Sequence, residues 1–535
     1  MQTTKTLKMK PASTKTLLVT AGTLLFNIIF WQQKLGINTI LFDLFIILSV
    51  FYLYPAAFKK PAIKWLLAAH IITVFALLYH NTELSKLAFS VTLLLVVVFT
   101  QYLHRSVWYA AGSAFMNYLL LVSTFFRGAT QLNQNKMRLY NIRKTVRFLI
   151  IPILLSIVFY WLYNFANSIF SSIMSDAAIA LQHFFSQFFS WFSMEWCWFL
   201  LLGLLITGGL LLKSNVAYFS EKDIVQTKEL SRKRTNLIEW KRTGMFQLLF
   251  LLMGRFADGM LALRNENKTG IISLVLLNVL LLCINCIDVA FVWFGFQYKN
   301  NMNLSAYVHE GTGMLIFSIV LAMVLLLFFF RGNLNFYKKN KWLRMGAYVW
   351  LIQNMVLVIS VLLRDYYYIV HMGLAYKRIG VLIFLMLVLF GLITIFIKIQ
   401  QLKTTYYLLT VNAWFAIIIL VFSSCIHWDE MIVKYNLARK DTIPLDIQFL
   451  LSLSDKALPV LEANMDVLEK SSVQTNDRND VYLYRSGLTA KQFFERRKAD
   501  FFKEQNGYNW LSWNFADAYV KSHLAKGPET AIVNH

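Results

Sequence analysis

The sequence predicts an all-α polytopic transmembrane helix bundle with a small α-helical extracytoplasmic C-terminal domain. Three observations carry that reading. The 535 residues are 58% hydrophobic, 16% aromatic and only 15% charged, and their mean hydropathy is +0.53. A soluble globular chain is about 45–50% apolar and about 25% charged, so neither a multidomain soluble enzyme nor a disordered chain fits. The apolar residues fall in runs of membrane-spanning length. The formal charge of +24 is unevenly placed: residues 426–535 hold 14 Lys/Arg and 15 Asp/Glu, whereas residues 1–425 hold 38 and 13. A positive excess confined to short segments between apolar runs follows the positive-inside rule and not a phosphate-binding face, which argues against nucleic acid.

Eleven apolar runs lie at about 17–31, 37–54, 61–80, 86–103, 148–170, 195–212, 270–297, 309–330, 345–363, 379–397 and 405–425. Each is long enough, or nearly so, to cross ~30 Å of hydrocarbon as a helix, the conformation that satisfies its own backbone in lipid. Residues 106–126 are ambiguous, because Gly112, Ser113 and Asn117 interrupt the run and Arg105 and Arg127 flank it. The lysines at 5, 8, 10 and 15 before the first run resemble a signal-peptide start, but no small-residue cleavage site follows, which reads as an uncleaved first span.

With the N-terminus in the cytoplasm and 106–126 dipping into the membrane, inside segments hold 32 Lys/Arg and outside segments 6. If 106–126 spans and the N-terminus is outside, the split is 26 in and 12 out. Both arrangements, of eleven and twelve spans, put the C-terminal tail outside. The expected divisions are an N-terminal helical membrane region (1–147), two spans with a basic cytoplasmic loop (148–269), a five-span core (270–425) and an extracytoplasmic helical domain (426–535).

Two stretches read as amphipathic. Residues 175–194 carry Phe184, Phe185, Phe188, Phe189, Trp191 and Phe192, as an outer-surface helix would at headgroup level. Residues 244–263 follow a basic run that includes Lys228, Arg232, Lys233, Arg234, Lys241 and Arg242. They read equally as an inner-surface helix on anionic lipid or as a helix packed on the spans. In the tail, 443–470 patterns as two short helices with Ser454-Asp455 where an N-cap would sit. Residues 471–480 read as a polar loop, and 489–505 and 508–524 as further helices.

The order of residues from 260 onward resembles a bacterial membrane family described as domain of unknown function 4173. The similar stretches are Leu261-Ala-Leu-Arg-Asn-Glu266, Leu277-Asn278 to Asn285-Cys-Ile-Asp288, Tyr307-Val-His-Glu-Gly311, Phe330-Arg-Gly332 and Arg364-Asp-Tyr-Tyr-Tyr368 with Tyr376-Lys-Arg-Ile379. Leu445 to Ser454 and Asn509-Trp-Leu-Ser-Trp-Asn514 complete the set. The resemblance implies a multi-pass membrane protein and supplies no activity.

Ionisable groups within a bilayer cost several kcal/mol unless paired, so each is a candidate. Asp43, Asn278, Asn285, Asp288, His309, Glu310, Asn354, Arg364 and Asp365 lie in or at the ends of spans, mostly toward the outer side. At about 100° per residue, Asn278, Asn285 and Asp288 share an ~80° arc, and Asn354 and Asp365 lie ~20° apart. The two stripes could face each other across the bundle, with Arg364 as counter-ion for Asp288, Glu310 or Asp43. No His-x-x-x-His or comparable metal spacing occurs, and phosphate-loop, dinucleotide and Gly-x-Ser-x-Gly patterns are absent, so no metal or cofactor is expected. Cys283-Ile-Asn-Cys286 lies in an apolar run and reads as two ordinary thiols. Gly311 and Gly313 read as sites of close helix contact.

These features suggest an integral membrane protein of the bacterial inner membrane, a non-catalytic envelope or signalling component whose outer domain meets a protein partner. Anionic headgroups are the expected lipid partners on the cytoplasmic side. A permease using the outer polar cluster and a membrane-embedded enzyme acting on a lipid-linked substrate are the alternatives. The first lacks internal repeats, and the second lacks a recognisable nucleophile.

Overall fold

The computed structural model describes residues 12–125, 152, 154–188, 193–232, 262–294, 304–330, 332–474 and 489–525. Among them the chain is helical, with one isolated antiparallel bridge, Glu229 with Lys403. Seven helices are long and apolar enough to cross a membrane: Pro61–His80, Glu83–Tyr102, Met194–Leu211, Leu263–Trp293, Lys341–Met372, Tyr376–Gln400 and Thr405–Ser424. Shorter apolar helices include Thr14–Phe30, Ile37–Leu53, Leu154–Ala166, Ile169–Ala180 and Gly313–Phe329. The chain divides into two units, one of residues 1–225 with 420–426 and 497–535, the other of 226–419 with 427–496.

In the first unit the connections are tight and locally encoded. Pro61 opens helix 61–80, Asn81 ends it with φ +46°, and Thr82 caps the next helix by accepting from Ser85 N. Helices 12–30 and 194–211 approach closely, since a Cβ on Gly22 would meet Thr207 and one on Gly203 would meet Phe26. Small residues serve this purpose in lipid, where apolar burial gives little drive between helices.

The ambiguous stretch 106–126 contains a helix of only 13 residues, Val107–Leu119, about 20 Å long at 1.5 Å per residue. Ser113 bonds His104, Asn117 bonds Gln101 and Tyr102, and Gly208 and Gly209 touch Leu121 and Tyr118. Both ends of this helix therefore stay beside the close of helix 83–102 and of helix 194–211, so it lies along one end of the unit and does not cross it.

At the opposite end, residues 504–515 sit on the loop 31–36. Ile37 N donates to Trp513 O (3.1 Å), Lys34 N to Ser512 Oγ (3.0 Å) and Asn509 N to the side chain of Gln33 (3.0 Å). Lys34 pairs with Glu504 at 2.6 Å, and Phe515 stacks on Tyr79 with centroids 4.7 Å apart. Trp510, Trp513 and Phe515 remain exposed, as aromatic side chains do at a membrane interface.

The second unit is built on helix Lys341–Met372. Its buried Leu343, Ala347, Trp350, Leu351, Leu357, Val358 and Val361 form one core with Leu274 and Leu281, Ile319 and Leu326, and Leu385, Leu392 and Ile399 from three other helices. At one end, Lys398 donates to Phe330 O (2.6 Å) and Arg344 to Ile399 O (2.8 Å). These cations meet the unpaired carbonyls of helix C-termini. At the other end Gly373, at φ +82°, turns the chain into Tyr376–Gln400. Asn436 holds the turn by accepting from Leu374 N and donating to Leu374 O.

Several expectations change in detail. The run 148–170 is not one helix: Leu154–Ala166 stops where Asn167 caps a new helix, Ser168–Phe188, by accepting from Ile169 N and Phe170 N. The aromatic helix expected over 175–194 thus begins seven residues earlier, and its side chains beyond 180 lie outside the described residues, as does nearly all of 244–263. Ser454 does not cap with its side chain. Its hydroxyl donates to Asp429 (2.6 Å), and the cap of Ile447–Ser452 is Asp446, which accepts from Phe449 N. Helix Met465–Gln474 carries into the expected 471–480 loop. Gly313 meets no neighbour within 4 Å among the described residues.

Candidate functional site

The polar residues predicted on helix 262–288 all bond to one neighbour, helix 341–372. Asn278 donates to Gly346 O (3.0 Å) and to its own helix at Leu274 O, and it accepts from Gln353 Nε2 (3.0 Å). Asn285 donates to Gln353 O (3.1 Å). Arg364 Nη2 donates to Asp288 Oδ1 in a largely buried ion pair. Immediately after Asp288 the helix widens into a π turn, Val289–Trp293, and Trp293 Nε1 reaches Ser360 Oγ at 2.9 Å. The spacing of 278, 285 and 288 therefore makes a ladder against 346, 353, 360 and 364.

The facing stripe differs from the expected one. Asn354 turns its amide to Trp350 O in its own helix (2.7 Å), and Asp365 is 2% exposed with its Oδ2 lacking a hydrogen-bond partner among the described residues. Neither bonds helix 262–288. Gln353 and Ser360, one residue before Asn354 and four before Arg364, take that role. Helical spacing alone does not say which of two adjacent polar residues, Gln353 or Asn354, faces the neighbouring helix, and Ser360 is a single hydroxyl in an apolar run. His309 and Glu310 belong to helix Leu304–Phe329, but their side chains lie outside the described residues.

Above this ladder, Asp429 accepts from both Tyr376 Oη and Ser454 Oγ. One carboxylate thus joins the start of helix 376–400, helix Trp428–Ala438 and the short helices after it.

Asp43 lies in the first unit and has its own partner there. His70 Nε2 is 2.8 Å from Asp43 Oδ1, and His70 Nδ1 is 2.9 Å from Thr92 Oγ1. Thr73 Oγ1 lies 2.9 Å from the same Thr92 oxygen and 2.8 Å from His70 O. His70 is 1% exposed. The network joins helices 37–53, 61–80 and 83–102.

A second histidine network was not anticipated. His104 Nδ1 is 3.0 Å from Asp223 Oδ2, and His104 Nε2 is 2.8 Å from Ser113 Oγ. That is the order of a nucleophile, base and orienting acid. Ser113 and Asp223 are each 1% exposed, and Asp223 also accepts from Arg105 N (2.7 Å). A nucleophile needs an approach for its substrate, whereas these groups close a chain corner and fix helix Tyr218–Val225 against helix 107–119. Only the tertiary fold brings Asp223 to His104, across more than 100 residues, so sequence spacing carried no signal of it.

No group of three or more metal-ligating side chains occurs among the described residues. Cys283, Cys286 and Cys425 are exposed free thiols.

A helical bundle with seven helices of spanning length and ionisable groups paired between apolar helices defines an integral, multi-pass membrane protein. Residues 17–464 match the family described as domain of unknown function (DUF4153), and the chain belongs to that family. This corrects the resemblance to domain of unknown function 4173: the character of the family stands, and its number differs. No curated protein and no solved structure matches the chain.

Proposed function

We propose that this chain is a non-catalytic envelope or signalling component of the bacterial inner membrane. Its N-terminus is cytoplasmic, and its helical segments after residue 426 face outward to meet a protein partner. The observation that carries this reading is the Asp288–Arg364 pair. The strongest charges of the predicted cluster are spent on each other, and the amides beside them are spent on the backbone of the facing helix. Groups so committed hold helices in register and are not available for acid–base chemistry themselves. The basic run from Lys228 to Arg242 meets anionic headgroups on the inner face.

The test is stability of the full chain in detergent. Arg364→Ala strands the Asp288 carboxylate and costs about 3–5 kcal/mol, as breaking a buried pair does. Adding Asp288→Asn removes the stranded charge and recovers part of the loss. If Arg364→Ala melts like the wild type, the pair is not a packing device and this reading fails. Asp365 favours the permease alternative, since a buried carboxyl whose Oδ2 has no hydrogen-bond partner among the described residues calls for an explanation. A chain in which Asp365→Asn keeps its stability but loses a solute flux in vesicles belongs to that alternative.

A further inference from the structure

At the end of the first unit away from the loop 31–36, two lysines stand together without an acidic partner among the described residues. Lys15, near the start of helix Ala12–Phe30, is 8% exposed. Its ammonium donates to Tyr54 Oη (3.1 Å) and lies 5.4 Å from the centre of that ring. Lys213, two residues past helix 194–211, donates to Gln101 O (2.6 Å) and lies 4.5 Å from the centre of the Tyr102 ring. Burial, with the charge of Lys15 adding to it, holds the Lys213 ammonium low, at about 8.

The donors exceed the acceptors. An ammonium has three N–H groups, and each lysine uses one of them among the described residues. Tyr54 is buried, and its hydroxyl accepts from Lys15, so its own proton is unspent there. Buried like charges with spare donors cost free energy unless an anion joins them. All of these groups sit where the apolar runs end, the depth at which headgroups are expected. Two other lysines of the unit, Lys34 and Lys86, each hold a glutamate.

We infer that Lys15, Lys213 and Tyr54 form a binding site for one anionic phosphate group. Lys15 and Lys213 supply the charge, and the Tyr54 hydroxyl donates between them. At this depth the phosphate is that of an anionic phospholipid headgroup or a free phosphate. The site goes beyond the proposed function and does not depend on it, because it uses neither the Asp288–Arg364 pair nor the outward segments.

The full chain is placed in nanodiscs of phosphatidylcholine alone or with phosphatidylglycerol, and in lipid-free detergent with or without inorganic phosphate. The thermal midpoint is read for the wild type and for Lys15→Gln/Lys213→Gln. Phosphatidylglycerol raises the wild-type midpoint by several degrees, and the double variant loses most of that rise. In phosphatidylcholine the double variant melts at or above the wild type, since relief of two buried charges and their repulsion outweighs the two hydrogen bonds lost, and Tyr54→Phe keeps about half the rise. Protection by lipid alone assigns the site to a headgroup, and equal protection by inorganic phosphate assigns it to a free anion. A double variant that keeps the full rise overturns the site. So does one that melts well below the wild type in phosphatidylcholine, because the lysines would then hold the fold directly.

Discussion

The His70 imidazole bridges Asp43 and Thr92, with its two nitrogens 2.8 Å from the Asp43 carboxylate and 2.9 Å from the Thr92 hydroxyl. One ring thereby ties three successive apolar helices at their buried faces. Asp43 has few alternatives: it is 8% exposed, and residues 41–48 around it are apolar apart from Asp43 itself. Its cost in lipid is met by this one contact, so removing the ring affects two helices at once.

His70→Leu should therefore destabilise the first unit by about 3 kcal/mol, mainly through the stranded Asp43. Asp43→Leu/His70→Leu should recover most of that loss, because no unpaired acid remains. Denaturation of the three chains in one detergent measures this. Equal loss in the single and double variants would show that the two side chains are not coupled.

Gly36→Ala should loosen the C-terminal segment. A Cβ at Gly36 would stand 2.4 Å from Trp513 O and 2.5 Å from Ser512 C and O, all backbone atoms. No rotamer relieves such a clash, so residues 512–513 must move and forfeit the bonds from Lys34 N and Ile37 N. At about 1 kcal/mol each, two lost bonds raise the open population more than tenfold. Trypsin should then cut at Lys503 or Lys521 at least tenfold faster than in the wild type. An unchanged rate would mean that the docking tolerates the methyl.

The proposed orientation is tested with reporters. One active only outside the cytoplasm should work when fused after His535 and stay silent when inserted at 226–232. The opposite pattern would reverse the charge argument and move the outward segments to the cytoplasm.

Much of the fold was legible because apolar length and Lys/Arg placement are properties of a single segment. Helices 37–53, 61–80 and 405–424 fall within a residue or two of the expected runs. The break at Asn167 was harder to see, since a lone asparagine in an apolar run reads as tolerated until its carbonyl oxygen is found capping the next helix. At the candidate site, helical spacing grouped Asn278, Asn285 and Asp288 on one face. It could not tell Gln353 from Asn354, which are 100° apart, because that choice depends on which neighbour the helix meets. The His104–Asp223 contact lay further out of reach, as did the meeting of Lys15 with Lys213. Each joins residues that only the packed helices bring together.

The Lys15–Lys213 pair leads to a pH dependence with a definite sign. Burial and then the Lys15 charge hold Lys213 at about 8, below the ordinary lysine value. Between about pH 8 and 10.4 the unfolded chain keeps a proton that the folded chain has released, so stability rises with pH across that window. Below about 8 both states are protonated, and the cost of the buried charge is fully present. Two neighbours in the unit limit the upper edge. Burial pushes the Tyr54 hydroxyl up, so its contribution falls as pH passes the ordinary tyrosine value near 10. Burial pulls Lys34 down, but the hydrogen bond and charge of Glu504 more than offset this and hold it above the ordinary range, so its contribution is lost only at higher pH. In phosphatidylcholine nanodiscs the wild-type midpoint should therefore climb from about pH 8 to about 9.5, and Lys213→Gln should climb markedly less there. Phosphatidylglycerol should reduce the wild-type climb as well, because a bound phosphate keeps Lys213 charged in the folded chain. A wild-type midpoint that falls over this range in phosphatidylcholine would mean that Lys213 is not held low by its surroundings, and the repulsion on which the anion site rests would be absent.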